Sequence, residues 1–286
     1  MTVAWSQAEA PTVPLRLLPH AGPEDLTGRG LTEPGAKERG AVAPRRRRFR
    51  WIKRLCAIVM ALVTLTVIGV AGLLVGLPGV GDAPARVRAI AHAHHAAYPG
   101  PAVPPRFAAA LVATEDHRFY AEPGIDPAAV GRVLLGRLSA GPDQGGATLD
   151  QQLAKMLYVR GRPGPLTEAE QVLLGVKLDL SYAKAEILLL YADVAYFGHG
   201  YYGLAAASCG YFAERQDRLS WGQAAMLAGL VQAPAADDPI SHFANARARQ
   251  AHVLIRLIDT GKLTRQQASR AYQMPLHLTR GHAGGC

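Results

Sequence analysis

The chain has 286 residues, enough for one large domain or two small ones with a sizeable core. Its formal net charge is +9, but seven of its positive charges sit together at Arg45, Arg46, Arg47, Arg48, Arg50, Lys53 and Arg54. A charge that local is a flank and not the broad basic face that nucleic-acid binding needs, so no nucleic-acid partner is expected. The cysteines Cys56, Cys209 and Cys286 are odd in number, far apart and without paired metal spacing, so no disulfide scaffold is expected either.

Residues 1–44 are rich in Pro, Gly, Ala and charge with little apolar periodicity, and such a composition cannot offset chain entropy by burial. With the basic run, residues 1–54 read as a disordered basic tail. The stretch 55–77 carries no charge over about 23 residues, long enough to cross a bilayer. The basic flank before it places the N-terminus in the cytoplasm and everything from Pro78 onward outside the membrane. Residues 78–103, with Pro84, Pro99 and Pro101 and the histidines His92, His94 and His95, read as a linker. From residue 104 to 275 apolar residues recur at helical spacing almost throughout, with Gly- and Pro-containing breaks between the runs. Phe107, Ala110, Leu111 and Thr114 mark the first of these helices. Residues 149–158 mark another, and a third carries Thr167 as its expected cap with Glu170 three residues on. No strand pattern of useful length and no fixed repeat appears. The fold class is therefore mainly α, preceded by one transmembrane helix, with a short tail at 276–286.

Several segments in order carry chemistry. The first is Ala113-Thr114-Glu115-Asp116-His117-Arg118-Phe119-Tyr120, followed by Gly124-Ile125-Asp126. The second runs from Gly145 and Gly146 through Ala147, Thr148, Leu149, Asp150, Gln151, Gln152, Leu153 and Ala154 to Lys155. The others are Lys184 to Tyr191, Tyr196 to Ala207, and Ala224 to Leu230 followed by Gln232-Ala233-Pro234. Together these segments resemble the motifs of glycosyltransferase family 51, the peptidoglycan glycosyltransferases, over residues 104–272.

The resemblance implies a lysozyme-like helical domain that polymerises lipid-linked disaccharide-peptide into glycan strands, with inversion at the anomeric carbon. It implies a bacterial cell membrane as the location. The precursor, the growing strand and other cell-wall synthesis proteins are the implied partners. Glu115 matches the family's general base, because a sugar hydroxyl is nearly un-ionised at neutral pH and needs a carboxylate to take its proton. Lys155 matches a phosphate-contacting lysine. Asp116, Phe119, Gly146, Thr148, Gln151 and Gln152 are the expected substrate-binding companions, with Arg160 and Arg162 in the adjoining loop. Gln151, Gln152 and Lys155 lie within about one helical turn of each other and so share much of one face. A divalent cation, magnesium or manganese, would suit the pyrophosphate leaving group.

The pattern also departs from the family. Glu122 replaces a histidine, Ala147 a serine, Asp150 a threonine and Met156 an asparagine. Thr167 and Glu168 occupy two basic positions, Gln171 an acidic one, and Asp193 an asparagine position. Fewer cations and more carboxylates should weaken anion stabilisation. Two alternatives follow. One is a catalytically impaired homologue that binds precursor or cell-wall partners. The other is a glycan-cleaving enzyme pairing Glu115 with Glu122 or Asp126, against which the motif order argues.

Overall fold

The computed structural model describes residues 45–121, 147–159, 164–279 and 286. The segments expected as a disordered tail up to residue 44, as Glu122, Gly124 and Asp126, as Gly145 and Gly146, and as Arg160 and Arg162 lie outside the described residues.

Helix α1, Arg45–Gly76, continues from the basic flank into the apolar run without a break. The chain divides into two units, Met1–Ile58 and Val59–Cys286. Its Arg50–Gly69 stretch is long and apolar enough to cross a membrane, and Leu55, Ile58, Val63 and Ile68 are all exposed. Apolar side chains left bare along such a length are what a bilayer covers.

Within Val59–Cys286 the domain is helical. The stretch expected as a linker carries α2, Ala83–Ala93, with Pro84 in its first turn and Ala83, Val87, Ile90 and Ala91 buried. The prolines that suggested a linker are compatible with a helix start, since proline at the first positions gives up an amide that has no partner anyway. His94 follows, and its ring stacks on Tyr202 with centroids 3.5 Å apart.

Helix α3 is Pro105–Glu115, and Phe107, Ala110 and Leu111 are fully buried along it. Helix α4, Leu149–Tyr158, is capped by Thr148, whose hydroxyl accepts the Gln151 amide at 3.3 Å. Helix α5, Pro165–Ser181, begins two residues before the expected cap at Thr167, because Pro165 already has the φ a helix start requires. Helix α6 is Lys184–Val194 and α7 is Leu204–Phe212. Helices α8, Trp221–Leu230, and α10, Arg265–Gln273, each begin with a reciprocal capping box, Ser220 with Gln223 and Thr264 with Gln267. Between them α9 spans Phe243–Asp259.

Helices α3, α8 and α9 pack on one another, and α10 joins α8 and α9. Helices α4, α5 and α6 form a second group with α2 against α4 and α6, and α7 touches both α6 and α8. One core runs through both groups. The result is a mainly helical domain of the lysozyme-like kind expected, after one apolar helix of membrane-spanning length.

Close approaches fix this packing. Gly175 on α5 lies so near α4 that a Cβ there would meet the Gln151 backbone nitrogen at 3.1 Å and Cα at 3.2 Å. Gly198, at φ +87°, adopts backbone that few other residues tolerate, against the Pro234 carbonyl.

Cys209 on α7 is joined to Cys286 by a disulfide, with Cα atoms 5.7 Å apart. Spacing hid this bond, since 77 positions separate the two residues and only the fold brings them together. The returning chain is also tied where Thr279 donates to the carbonyls of Tyr211, at 2.9 Å, and Gly210, at 2.6 Å.

Candidate active site

The last residue of α3 is Glu115, which places its carboxylate where the α3 group meets the α4–α6 group. Gln152 on α4 donates through Nε2 to Glu115 Oε2 at 3.0 Å. The Tyr191 hydroxyl on α6 donates to Gln152 Oε1 at 2.8 Å. This relay fixes the amide's orientation: a carboxylate only accepts, so Gln152 must turn its nitrogen toward Glu115 and its oxygen toward the tyrosine. Burial pushes the Glu115 pKa up from its ordinary value, opposed by the Gln152 bond and the Arg249 charge and assisted by neighbouring Asp116. Burial and the Glu115 charge push the Tyr191 hydroxyl up as well, so it stays a donor at neutral pH. A desolvated carboxylate of raised pKa, held by one oriented donor, has the character of a general base.

Asp116, the residue that follows α3, works on backbone. Its Oδ2 accepts the Leu149 amide at 3.1 Å, so α3 hands directly onto the first turn of α4. A carboxylate there also meets the positive end of the α4 dipole. Asp116→Ala is expected to lower stability by about 1 kcal/mol through the lost helix-end contact, read as a lower urea midpoint with unchanged slope.

Companions expected on one face divide among three roles. Gln151 is buried and lies against Gly175, inside the α4–α5 packing. Gln152 reaches Glu115, and Lys155, one turn further, is exposed. Thr148 is the α4 cap. Phe119 is almost fully buried, with the Lys184 ammonium 4.4 Å from its ring centroid. Of the expected set, the structure therefore brings Glu115, Asp116, Thr148 and Gln152 together, while Lys155 is exposed one turn further along α4.

Four of the positions that depart from the family pattern have the following surroundings. Asp150 is buried and not a loose anion in the site: it pairs with Lys184 Nζ at 3.2 Å, and Lys184 also pairs with Asp179. Asp193 is buried and accepts the Gly100 amide at 3.0 Å, and a Cβ on Gly100 would overlap that carboxylate. Glu168 is exposed in the first turn of α5, and Gln171 on the same helix is half-buried.

Sequence reading passed over Arg249 and Arg256 on α9, seven residues apart and so on one side of the helix. The Arg249 charge acts on Glu115 and its Nε lies 3.4 Å from the Gly229 carbonyl, while Arg256 donates to Ala113 O at 3.2 Å. Their signal was an arginine pair inside an amphipathic helix, which reads as solvated surface until α9 is seen beside the end of α3. Among the described residues no group of three His, Cys, Asp or Glu side chains converges as a metal site would.

The family model for transglycosylases matches residues 85–258. A protein of Cupriavidus necator named as a transglycosylase is 37% identical over 176 residues, covering 62% of this chain and 76% of that protein. Penicillin-binding protein 1A of Neisseria flavescens is 38% identical over 172 residues, 60% of this chain and 22% of its own length. Penicillin-binding protein 1A of Escherichia coli K12 is 36% identical over 166 residues, 58% of this chain and 20% of its own length. The chain thus spans about a fifth of the penicillin-binding proteins it matches, and most of the shorter transglycosylase. With more than half of its residues under the family model, the chain belongs to the transglycosylase family, glycosyltransferase family 51, and carries a peptidoglycan transglycosylase domain.

Proposed function

We propose that this protein polymerises lipid-linked disaccharide-peptide into glycan strands, with Glu115 as the general base. The observation that carries this reading is the Tyr191–Gln152–Glu115 relay, which presents a desolvated, oriented carboxylate at the junction of the two helix groups. The acceptor sugar hydroxyl gives its proton to Glu115 as its oxygen bonds to the anomeric carbon from the face opposite the pyrophosphate. The anomeric carbon–oxygen bond breaks, the lipid pyrophosphate leaves with the electron pair, and configuration inverts. Positive charge favours that departure as negative charge develops. Lys155, exposed one turn along α4 from Gln152, and Arg249, whose charge acts on Glu115, supply it from this chain, with Arg160 and Arg162 of the adjoining loop as substitutes for the cations that the family pattern has and this chain lacks. Asp116, Thr148 and Gln151 serve by holding α4 in place, Phe119 by supporting the turn after α3, and Gly146 on the family resemblance. A glutamate in a base role loses activity as pH falls through its raised pKa.

The N-terminus is proposed to lie in the cytoplasm and the domain outside, as the basic flank at the start of α1 directs. The Cys209–Cys286 bond fits an oxidising compartment. The membrane, the precursor, the growing strand and other cell-wall synthesis proteins are the proposed partners.

Purified full-length protein in detergent, given fluorescent precursor, is expected to form a ladder of strands. A magnesium or manganese ion is proposed to neutralise the pyrophosphate. EDTA should then lower the rate by about tenfold or more, and either ion should restore it. A rate indifferent to EDTA would remove the ion from the account.

Gln171 favours a second reading, a homologue that binds precursor or cell-wall partners without turnover, because a neutral amide cannot act as a base and holds a metal less strongly than a carboxylate. Under that reading precursor binds equally well to wild type and Glu115→Gln, and neither forms polymer.

A further inference from the structure

Lys184 and Tyr191 stand seven residues apart on α6, so they project from one side of the helix. Both reach α4. Tyr191 holds Gln152, and Lys184 Nζ pairs with Asp150, the second residue of the helix. The same ammonium also pairs with Asp179 near the end of α5 and lies over the Phe119 ring. A single cation thus ties the first turn of α4 to α5, α6 and the turn that follows Asp116. The cluster is largely dry, with Asp150 at 1% exposure, Asp179 at 11% and Lys184 at 21%.

Buried ion pairs add little net stability, because desolvation offsets their attraction, but they hold neighbouring elements in one register. Here the register matters at one place. Asp150 is two residues from Gln152, and Gln152 donates the hydrogen bond that Glu115 receives. We propose that Lys184 is a positioning residue, which by clamping Asp150 and Asp179 holds the first turn of α4 and so aims the Gln152 amide at Glu115. This inference rests on the reading of Glu115 as the base.

The charged groups facing Asp150 are Lys184 from α6 and Asp179 from α5, and Asp116 at the end of α3 shares the influence of Lys184. Burial, opposed by Lys184 and reinforced by Asp179, pushes Asp150 up to about 6, as expected of two carboxylates sharing one ammonium.

The test exploits a difference of sign. Asp150→Ala removes a negative charge, so simple electrostatics would lower the Glu115 pKa. Loss of aim of the Gln152 donor would raise it. The full chain in detergent, labelled with carboxyl-13C glutamate and assigned by the signal lost in Glu115→Gln, reports that pKa without substrate. Asp150→Ala is expected to raise the Glu115 titration by about half a unit to one unit, the scale of a weakened charged hydrogen bond. Lys184→Met should raise it too, and Lys184→Arg should return it toward wild type. With precursor, Lys184→Met should lower kcat about tenfold with KM within about threefold, and shift the acid limb upward.

A Glu115 titration that falls or stays fixed in Asp150→Ala overturns the clamp. If Lys184→Met fails to fold, the Asp150→Ala titration decides alone. If wild type forms no polymer, the functional reading fails, and the titration still judges the clamp.

Discussion

Replacing Glu115 by Gln is expected to lower polymer formation by about 10²- to 10⁴-fold while leaving the fold intact or more stable. The amide keeps the size of the side chain and still accepts from Gln152 Nε2, so the relay to Tyr191 survives. What disappears is the capacity to take the acceptor's proton. The stability direction follows from the raised pKa, caused first by burial. A carboxyl whose folded pKa lies above its unfolded value destabilises the fold where it is ionised, above the folded pKa. That penalty is relieved as pH falls through the folded pKa. At neutral pH, Glu115→Gln should therefore melt at or above the wild-type temperature, and its advantage should shrink on acidification. An inactive variant that is no less stable separates a chemical role from a structural one. Comparison of melting curves at pH 7.5 and at mildly acidic pH checks the sign.

Gly175→Leu should produce the opposite combination, loss of stability together with loss of activity. A Cβ at this position already meets Gln151 Cγ at 3.0 Å and the Gln151 backbone at 3.1 and 3.2 Å. Alanine needs a shift of a few tenths of an ångström there, and its better helix propensity, worth about 1 kcal/mol, offsets part of that cost. Leucine has no such room. Overpacking costs about 1–3 kcal/mol, roughly 2–10 °C in melting temperature for a domain of this size. The displaced element is α4 at Gln151, beside the residue that binds Glu115, so polymerisation should fall further than stability alone explains. Thermal melting and initial rates on Gly175→Ala and Gly175→Leu check this, with alanine near wild type and leucine well below it in both.

Much of the fold was legible before the structure. Apolar spacing located α3, α4 and the helices after them, and 55–77 announced α1. Proline misled at Pro84, which punctuates the sequence like a break but occupies a helix first turn, and the cap expected at Thr167 falls inside a helix that already begins at Pro165. Glu115 and Asp116 were legible through the motif around them. Their partners were not, because Gln152 and Leu149 lie more than thirty residues away and only the packed helices supply the register. Gln151 and Gln152 look interchangeable in the sequence. A rotation of one residue about α4 turns one into the α5 contact and the other toward Glu115. Asp150 looked like an unwelcome anion, and its burial against Lys184 depends on where α6 begins. Arg249 carried no motif and became visible only through the approach of α9 to α3.

The central claim is that this domain polymerises lipid-linked precursor through Glu115. Its most direct test incubates fluorescent lipid-linked disaccharide-peptide with detergent-solubilised full-length protein, beside Glu115→Gln, in magnesium or manganese, and resolves the products on a gel. The account predicts a ladder of glycan strands from wild type and none from the variant at equal folded concentration. Equal ladders from both proteins, or no ladder from folded wild type where a control polymerase makes one, would contradict it.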